Sequence, residues 1–152
     1  MLIIMKKLIL ILLILNFTNY YKIEKRVDEK NKIVIEKIDL NQDIYSYNES
    51  SVDENIIYLK ETNVKKDFFI LAAHSGNSNI SYFRNLNKLK INDELKIIFN
   101  NRSLKFKVDN IYYVRKTGKI ILPVDSKDVL YLTTCDKYNK NKQLIVKCVK
   151  KM

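Results

Sequence analysis

The sequence is poor in the residues that build metal sites and disulfide scaffolds. Its 152 residues include one histidine, His74, and two cysteines, Cys135 and Cys148. One histidine and two cysteines make no convincing zinc site without carboxylates, and the acidic residues are scattered, so we predict no metal and no other cofactor. Two cysteines allow one disulfide at most. We favour free thiols over that bridge, with Cys148 as a small buried side chain.

The excess of positive charge is spread along the chain and is not gathered into one stripe. Lysine and arginine outnumber aspartate and glutamate by 28 to 17, which gives a net charge of +11. Because no basic stripe with interleaved aromatic residues is present, we predict no nucleic-acid partner. A basic protein outside the cytoplasm is instead attracted to anionic lipid headgroups and to anionic cell-wall polymers.

The first 21 residues have the order expected of a membrane anchor. Lys6 and Lys7 precede an apolar run at residues 8–15, and Tyr20 and Tyr21 follow it. The run is shorter than the roughly 20 residues of a spanning helix, but residues 16–21 extend it. No small-x-small cleavage site follows, so we predict an uncleaved single-pass signal anchor with the rest of the chain extracellular. The alternative, a buried helix of a cytosolic fold, fits less well because the run is not amphipathic.

The remainder divides into a polar linker at residues 22–31 and a folded domain at residues 32–152. Within the domain, short strand-like runs alternate with turn signals, which is typical of an all-β barrel or sandwich. The runs cover residues 33–38, 44–47, 68–73, 95–99, 104–114, 120–122, 129–133 and 144–149. Asn100-Asn101 and residues 116–119 are the predicted hairpin turns.

Two segments are predicted to be helical. Apolar residues recur every three positions directly after His74, at Ile80, Phe83, Leu86 and Leu89. A second helical turn is predicted over residues 51–59. Among the strands, alternation over residues 104–108 predicts one buried and one exposed face, whereas the continuously apolar residues 68–73 predict burial on both faces.

A cysteine ends the strand-forming run Tyr-Leu-Thr-Thr-Cys at residues 131–135, and polar loop sequence follows it. A thiol at the mouth of a strand can be partly exposed and fixed in direction, which suits a nucleophile. The single histidine lies in Ala-Ala-His-Ser-Gly at residues 72–76, where Gly76 permits a sharp turn. A thiol and an imidazole are the minimal groups for acyl transfer, provided that they meet.

These two segments, taken together, resemble the sortase family. Residues 72–76, 82–86 and 89–95 are similar to the histidine region of sortases, in which a histidine ends a buried strand and a short helix follows. Residues 131–135 resemble the family segment Thr-Leu-x-Thr-Cys, with Tyr131 in place of the first threonine. The resemblance covers roughly residue 33 to the C-terminus. It implies a mainly β fold, a closed eight-stranded sortase-like β-barrel with one or two short helices.

The resemblance also implies a membrane-anchored cysteine transpeptidase of the Gram-positive cell envelope. Such enzymes cleave a sorting signal like Leu-Pro-x-Thr-Gly on a secreted surface protein and hold the protein as a thioacyl enzyme. They then transfer it to an amine of a cell-wall precursor or of a pilin. By this resemblance Cys135 is the nucleophile, and His74 is the general acid/base that protonates the leaving amine.

The sequence departs from the family pattern after the cysteine. The family carries an arginine on the next strand, and here Gln143 aligns with it. A glutamine amide can donate a hydrogen bond to an oxyanion but brings no charge. Lys142 or Lys140 would supply that charge from the adjacent loop. The departure leaves open a catalytically weak or silent sortase-fold module that binds envelope peptides or proteins. A separate alternative is a thiol hydrolase, in which water instead of an amine resolves the thioacyl intermediate.

Overall fold

Eight strands close into a barrel in the part of the chain that the computed structural model describes, which is residues 11, 30–117 and 127–151. The strands are β1 Lys32–Ile35, β2 Leu40–Ser46, β3 Ile56–Tyr58, β4 Phe68–Ala72, β5 Glu94–Phe99, β6 Arg102–Arg115, β7 Val129–Cys135 and β8 Lys142–Lys150. Their order around the barrel is β1-β2-β3-β4-β7-β8-β6-β5, and β5 pairs back to β1. The pairs β2–β3 and β4–β7 are parallel. The prediction of a mainly β, closed eight-stranded barrel is therefore confirmed.

Several predicted features lie outside the described residues. They are the anchor at residues 1–21 (apart from Ile11), the linker up to residue 29, the strand at residues 120–122, and the second half of the turn at residues 116–119. Among the residues that are described, none belongs to a helix of the length and apolar character needed to cross a bilayer.

The barrel interior follows from the alternation of side chains along each strand. Leu104, Phe106 and Val108 of β6 are buried inside, while Lys105 between them is exposed. All five residues of β4 are buried, as the continuously apolar sequence predicts. Its side chains supply two apolar clusters because alternate residues point to opposite faces. The interior cluster includes Phe69 and Leu71, and an outer cluster contains Phe68, Ile70, Val129, Tyr131 and Ile145.

Asparagine and aspartate make the left-handed turns in this glycine-poor chain. Among the described residues other than glycine, six have a positive φ, between 47° and 74°: Asp39, Asp67, Asn92, Asn100, Asn101 and Asp128. Short polar side chains tolerate this conformation better than other residues do. Asn100 and Asn101 are consecutive, with φ of 49° and 59°, and they join β5 directly to β6. Two consecutive positive φ angles indicate a type I′ hairpin, so this predicted turn is confirmed.

The helical turn predicted over residues 51–59 is wrong. Residues 51–55 form turns, and residues 56–58 form β3. This strand pairs in parallel with β2, where Ile44 lies opposite Ile56, and antiparallel with β4, where Ile57 lies opposite Ala72. The apolar spacing that indicated a helix is overridden by backbone hydrogen bonds to two strands that are distant in sequence.

The helix predicted after His74 exists only as turns and one 3-10 helix, Leu86–Lys88. Phe83, Leu86 and Leu89 are buried as predicted, but Ile80 is 42 % exposed. A repeat of three residues is the period of a 3-10 helix, not of an α-helix, which explains why the segment winds tightly and briefly. Two further 3-10 helices, Glu36–Ile38 and Val64–Lys66, follow β1 and precede β4. The first of them shortens the strand that was predicted to run to residue 38.

A buried aspartate holds three elements together where β4 begins. The side chain of Asp67 is 9 % exposed and lies 2.6 Å from the ammonium of Lys150 and 2.9 Å from the guanidinium of Arg102. Burial alone would raise the pKa of Asp67, but the hydrogen bond from Lys150 and the charge of Arg102 outweigh it, and the pKa is lowered. The carboxylate thereby links the strands β6 and β8 to the start of β4.

Replacement of Asp67 by asparagine is expected to cost about 2 kcal/mol of the free energy of unfolding near neutral pH, because two cations lose their carboxylate. The pKa of Asp67 is lower in the folded chain than in the unfolded chain. Its contribution is therefore present above about pH 4 and is lost as the pH falls through the folded pKa. Urea unfolding of the wild type and the Asp67→Asn variant should show a difference that shrinks on acidification.

Asp39→Asn is the matched control for that measurement. Asp39 also has a positive φ, 53°, and also ends a 3-10 helix, but it is exposed. Asparagine tolerates the same backbone conformation, so this variant should retain the wild-type stability. Equal losses in the two variants would show that the ion pairs of Asp67 do not stabilise the fold.

Candidate active site

The two predicted catalytic residues lie at the ends of neighbouring parallel strands. Cys135 is the last residue of β7, and His74 lies two residues beyond the end of β4. The register of β4 and β7 runs from Phe68 opposite Val129 to Ala72 opposite Thr133, and two more residues along it reach His74 and Cys135. The Thr134 hydroxyl donates to the Ala73 carbonyl at 2.7 Å, and this threonine is buried. This bond joins the two neighbouring segments at the residues immediately before His74 and Cys135. Carboxyl ends of adjacent parallel strands share one edge of the sheet, so both side chains lie at that edge.

Alternation also places the two residues on the same face of the sheet. Leu130 and Leu132 of β7 belong to the interior cluster, whereas Tyr131 belongs to the outer cluster, so Cys135 shares the outer face with Tyr131. On β4, Leu71 is interior and Ile70 is outer, and the same alternation carries His74 outward. Cys135 is partly exposed.

The second cysteine lies on the opposite face. Cys148 is fully buried with Leu144 and Val146 in the interior cluster, and both cysteines are free thiols. Burial raises the pKa of the Cys148 thiol well above its ordinary value. In the β7–β8 register Cys148 lies opposite Leu130, while Cys135 lies opposite Gln143. The two thiols are therefore too far apart and on the wrong faces for a disulfide, and only Cys135 has the exposure of a nucleophile.

The backbone around His74 is held by the segment that follows it. The His74 carbonyl accepts a hydrogen bond from the Phe83 amide at 3.0 Å. Its imidazole is about half exposed, and Nδ1 lies 3.7 Å from Oδ1 of Asp53. A Cβ at Gly76 would lie 3.1 Å from the Ser81 hydroxyl and 3.4 Å from Cδ2 of His74, and the φ of Gly76 is not in the left-handed region. Gly76 therefore serves close packing beside the imidazole.

Gln143 lies beside Cys135, but its amide is occupied elsewhere. The two residues are direct partners in the β7–β8 register. The Gln143 Nε2 donates to the Thr133 hydroxyl at 2.6 Å, and that hydroxyl donates to the Leu144 carbonyl at 3.3 Å. The Gln143 side chain thus links β8 to β7 by a hydrogen bond, two residues before the thiol on β7.

The cation at the thiol comes from β6. The ammonium of Lys116, which directly follows β6, donates to Sγ of Cys135 at 3.2 Å. The Lys116 backbone is fixed, because its amide donates to the Asn141 carbonyl at 2.8 Å. This contact places a positive charge beside the sulfur, the atom that would carry the negative charge of a cysteine nucleophile.

A shallow pocket lies next to the sulfur. Its lining includes the buried residues Phe83, Thr134 and Leu144 together with Arg84 and Tyr138. Tyr138 follows Cys135 by three residues and is 84 % exposed. Among the described residues, no three histidine, cysteine, aspartate or glutamate side chains are grouped closely enough to hold a metal ion. The site therefore presents a thiol beside a small pocket, with an ammonium 3.2 Å from its sulfur and an imidazole at the same edge of the sheet.

Comparison with known proteins assigns this arrangement to a family. The family model of the sortase domain matches residues 33–151, which include all eight strands except Lys32, the first residue of β1. The chain belongs to the sortase family. Members of this family are generally cysteine transpeptidases. No curated protein sequence matches the chain.

Solved sortase structures share the fold at low sequence identity. Sortase C-1 from Actinomyces oris is 23 % identical with a TM-score of 0.68, over 88 % of this chain and 81 % of that one. Sortase A from Corynebacterium diphtheriae is 25 % identical with a TM-score of 0.70, over 81 % of this chain and 60 % of that one. Sortase C2 of pilus island 1 from group B Streptococcus is 25 % identical with a TM-score of 0.69, over 84 % and 77 %.

The sequence did not predict three contacts of the site: Lys116 with Cys135, Asp53 with His74, and Thr134 with Ala73. Lys116 was predicted to lie in a hairpin turn, and Lys142 or Lys140 was expected to bring the charge. Asp53 was treated as one of several scattered acids, and Thr134 only as part of a strand. The Thr134 contact had a local signal, since a threonine directly before Cys135 can donate a hydrogen bond to the neighbouring strand. The first two contacts depend on which strands become neighbours.

Proposed function

We propose that this sortase is a membrane-anchored cysteine transpeptidase. It cleaves a Leu-Pro-x-Thr-Gly-like sorting signal and transfers the carrier protein to an amine of the cell wall or of a pilin. One observation supports this above the others. A partly exposed thiol ends β7 at the sheet edge where β4 delivers the only histidine, and an ammonium lies 3.2 Å from the sulfur.

The residues divide the chemistry in a consistent way. The Cys135 thiolate attacks the carbonyl carbon of the scissile peptide bond, which forms a C–S bond and moves an electron pair onto the carbonyl oxygen. When the C–N bond breaks, the leaving nitrogen needs a proton, and the His74 imidazolium supplies it. The incoming amine then attacks the thioester carbon, gives its proton to His74, and releases the thiolate.

The membrane location rests on the sequence. Residues 6–21 carry the two lysines, the apolar run and the tyrosines of a signal anchor. With the lysines on the cytoplasmic side, the barrel faces the extracellular side of the cell membrane. This location fits the proposed partners, which are the sorting-signal peptide of a secreted surface protein and the amine of a cell-wall precursor or pilin.

Gln143 supports a second candidate, a catalytically weak or silent sortase module that binds envelope peptides or proteins. Its amide carries no charge and is hydrogen-bonded to Thr133. The ammonium of Lys116 favours the active enzyme, since it places a charge at the sulfur from another strand.

Intact-mass measurement on the whole chain separates the two candidates. The purified protein is incubated with a Leu-Pro-x-Thr-Gly peptide, with and without an excess of a small amine. We expect a mass increase equal to the peptide up to threonine, carried by Cys135, that disappears when the amine is added. The matched control is a peptide of the same composition in scrambled order. If the wild-type chain shows no adduct under conditions where iodoacetamide labels Cys135, the silent module is correct.

A further inference from the structure

The cation at the nucleophile stands on a different strand from the residue that the family pattern indicates. Val114 on β6 pairs with Gln143 on β8, and Gln143 pairs with Cys135 on β7, so these three residues form one row across three strands. Lys116 lies two residues beyond Val114 and therefore shares its face. Its side chain reaches diagonally past Gln143 to the sulfur.

We propose that Lys116 is a catalytic residue of this sortase. Its ammonium lies at the Cys135 sulfur before the reaction and then neutralises the negative charge that develops on the carbonyl oxygen when the sulfur attacks. The inference rests on the proposed acyl transfer and adds to it the residue that replaces the missing arginine. An ammonium donates hydrogen bonds in three directions, so one donor can stay on the sulfur while another turns toward the oxyanion.

Among the described residues, the cation within hydrogen-bonding distance of the Cys135 sulfur is the ammonium of Lys116. The titratable or charged side chains around the pocket and the histidine are Arg84, Tyr113, Asp136, Lys137, Tyr138 and the His74–Asp53 pair. The guanidinium of Arg84 donates to the carbonyls of Ser81 and Ser78, at 3.2 Å and 2.8 Å. Nδ1 of His74 faces the Asp53 carboxylate. The ammonium of Lys116 is directed at the sulfur itself.

Charge and proton transfer are thus assigned to different residues. Lys116 keeps all of its protons throughout the cycle, and its charge compensates first the thiolate and then the oxyanion. His74 gives its proton to the leaving nitrogen and recovers one from the incoming amine.

The test compares iodoacetamide labelling of Cys135 near neutral pH in five forms of the whole chain: wild type, Lys116→Met, Lys116→Arg, Lys65→Met and Lys142→Met. Cys148 is buried and unreactive, so a single mass increment reports Cys135. We expect Lys116→Met to label about 5-fold more slowly near neutral pH, because no cation then stabilises the negative charge at the sulfur. The factor is modest because the contact is exposed to solvent. Lys116→Arg should restore most of the rate.

Lys65→Met is the matched control, because it removes one exposed lysine in the 3-10 helix before β4, at the opposite end of that strand from His74. It should label like the wild type. Lys142→Met tests the competing assignment on β8. Identical labelling of Lys116→Met and the wild type, or a slower rate in Lys142→Met alone, would overturn the proposal.

Labelling needs no sorting-signal peptide, so this result is independent of the substrate. A chain that labels as expected but forms no peptide adduct would refute the proposed transpeptidase and leave the role of Lys116 at the thiolate intact. Where the peptide adduct does form, Lys116→Met should slow it about 100-fold, a loss typical of one oxyanion donor. Arginine at this position should recover the adduct, while a merely structural loss would not be recovered.

Discussion

Replacement of Cys135 by alanine is expected to abolish the thioacyl adduct and the attachment of a sorting-signal protein to the envelope, while the barrel stays folded. The thiol forms the only covalent bond to the substrate in the proposed cycle, so no residual transfer is expected. Cys135 lies at the end of β7 and is partly exposed, so its removal leaves no sealed cavity in the core. The measurement is intact mass for the adduct, cell-wall fractionation for attachment, and circular dichroism for the fold.

The second cysteine provides the control for this experiment. Cys148→Ala removes a buried sulfur from the interior cluster and should lower the free energy of unfolding by about 1 kcal/mol, with the adduct on Cys135 retained. Normal attachment by the Cys135→Ala variant would end the proposal of acyl transfer at this site. Loss of the adduct in both variants would indicate that the substitutions disrupt the fold, and it would not identify Cys135 as the nucleophile.

Replacement of His74 by glutamine is expected to slow cleavage of the sorting-signal amide by a factor of about 10³, since a positioned general acid contributes roughly that much. The effect should depend on the leaving group. The nitrogen of an amide departs only after it has gained a proton. The leaving group of a thioester or an activated ester is a stable anion and departs without one. We therefore expect the variant to retain most of its acylation by an activated ester of the same peptide. Rates of adduct formation with the two substrates provide the measurement.

The leaving-group comparison also separates chemistry from position. The His74 carbonyl accepts from the Phe83 amide, and glutamine preserves that backbone contact. Equal losses with the amide and the activated ester would contradict a proton-donating role and indicate that His74 only shapes the pocket. An unchanged amide rate would remove His74 from the mechanism.

Local patterns predicted most of the barrel because they report local requirements. Alternating side chains in β6 indicate one wet and one dry face, and the continuously apolar β4 requires burial on both faces. The Asn100-Asn101 pair predicted its own hairpin, since both residues tolerate the positive φ of that turn. The failures came where apolar spacing was ambiguous. Apolar spacing was interpreted as a helix both over residues 51–59, where β3 is a strand, and after His74, where the three-residue repeat forms a 3-10 turn.

The candidate site was only partly predictable. The sequence places a thiol and an imidazole at strand ends, and a resemblance to sortases names them as a pair. Asp53 reaches His74 from the turns before β3, the segment for which the predicted structure was wrong. Lys116 is 19 residues before Cys135 in the chain, and nothing in its neighbourhood distinguishes it from the other lysines. Its role emerges only when β6, β8 and β7 are placed side by side.

By itself, the sequence determined the strand-rich fold, the free thiol at the end of one strand, the histidine at the end of another, and the absence of an arginine after the cysteine. The tertiary structure decided that β4 and β7 are parallel neighbours whose ends meet, and that the cation at the sulfur comes from β6. The physical reason is the range of the interactions. Side-chain alternation and turn conformation are set within a few residues, whereas strand partners and register are set by burial across the whole barrel.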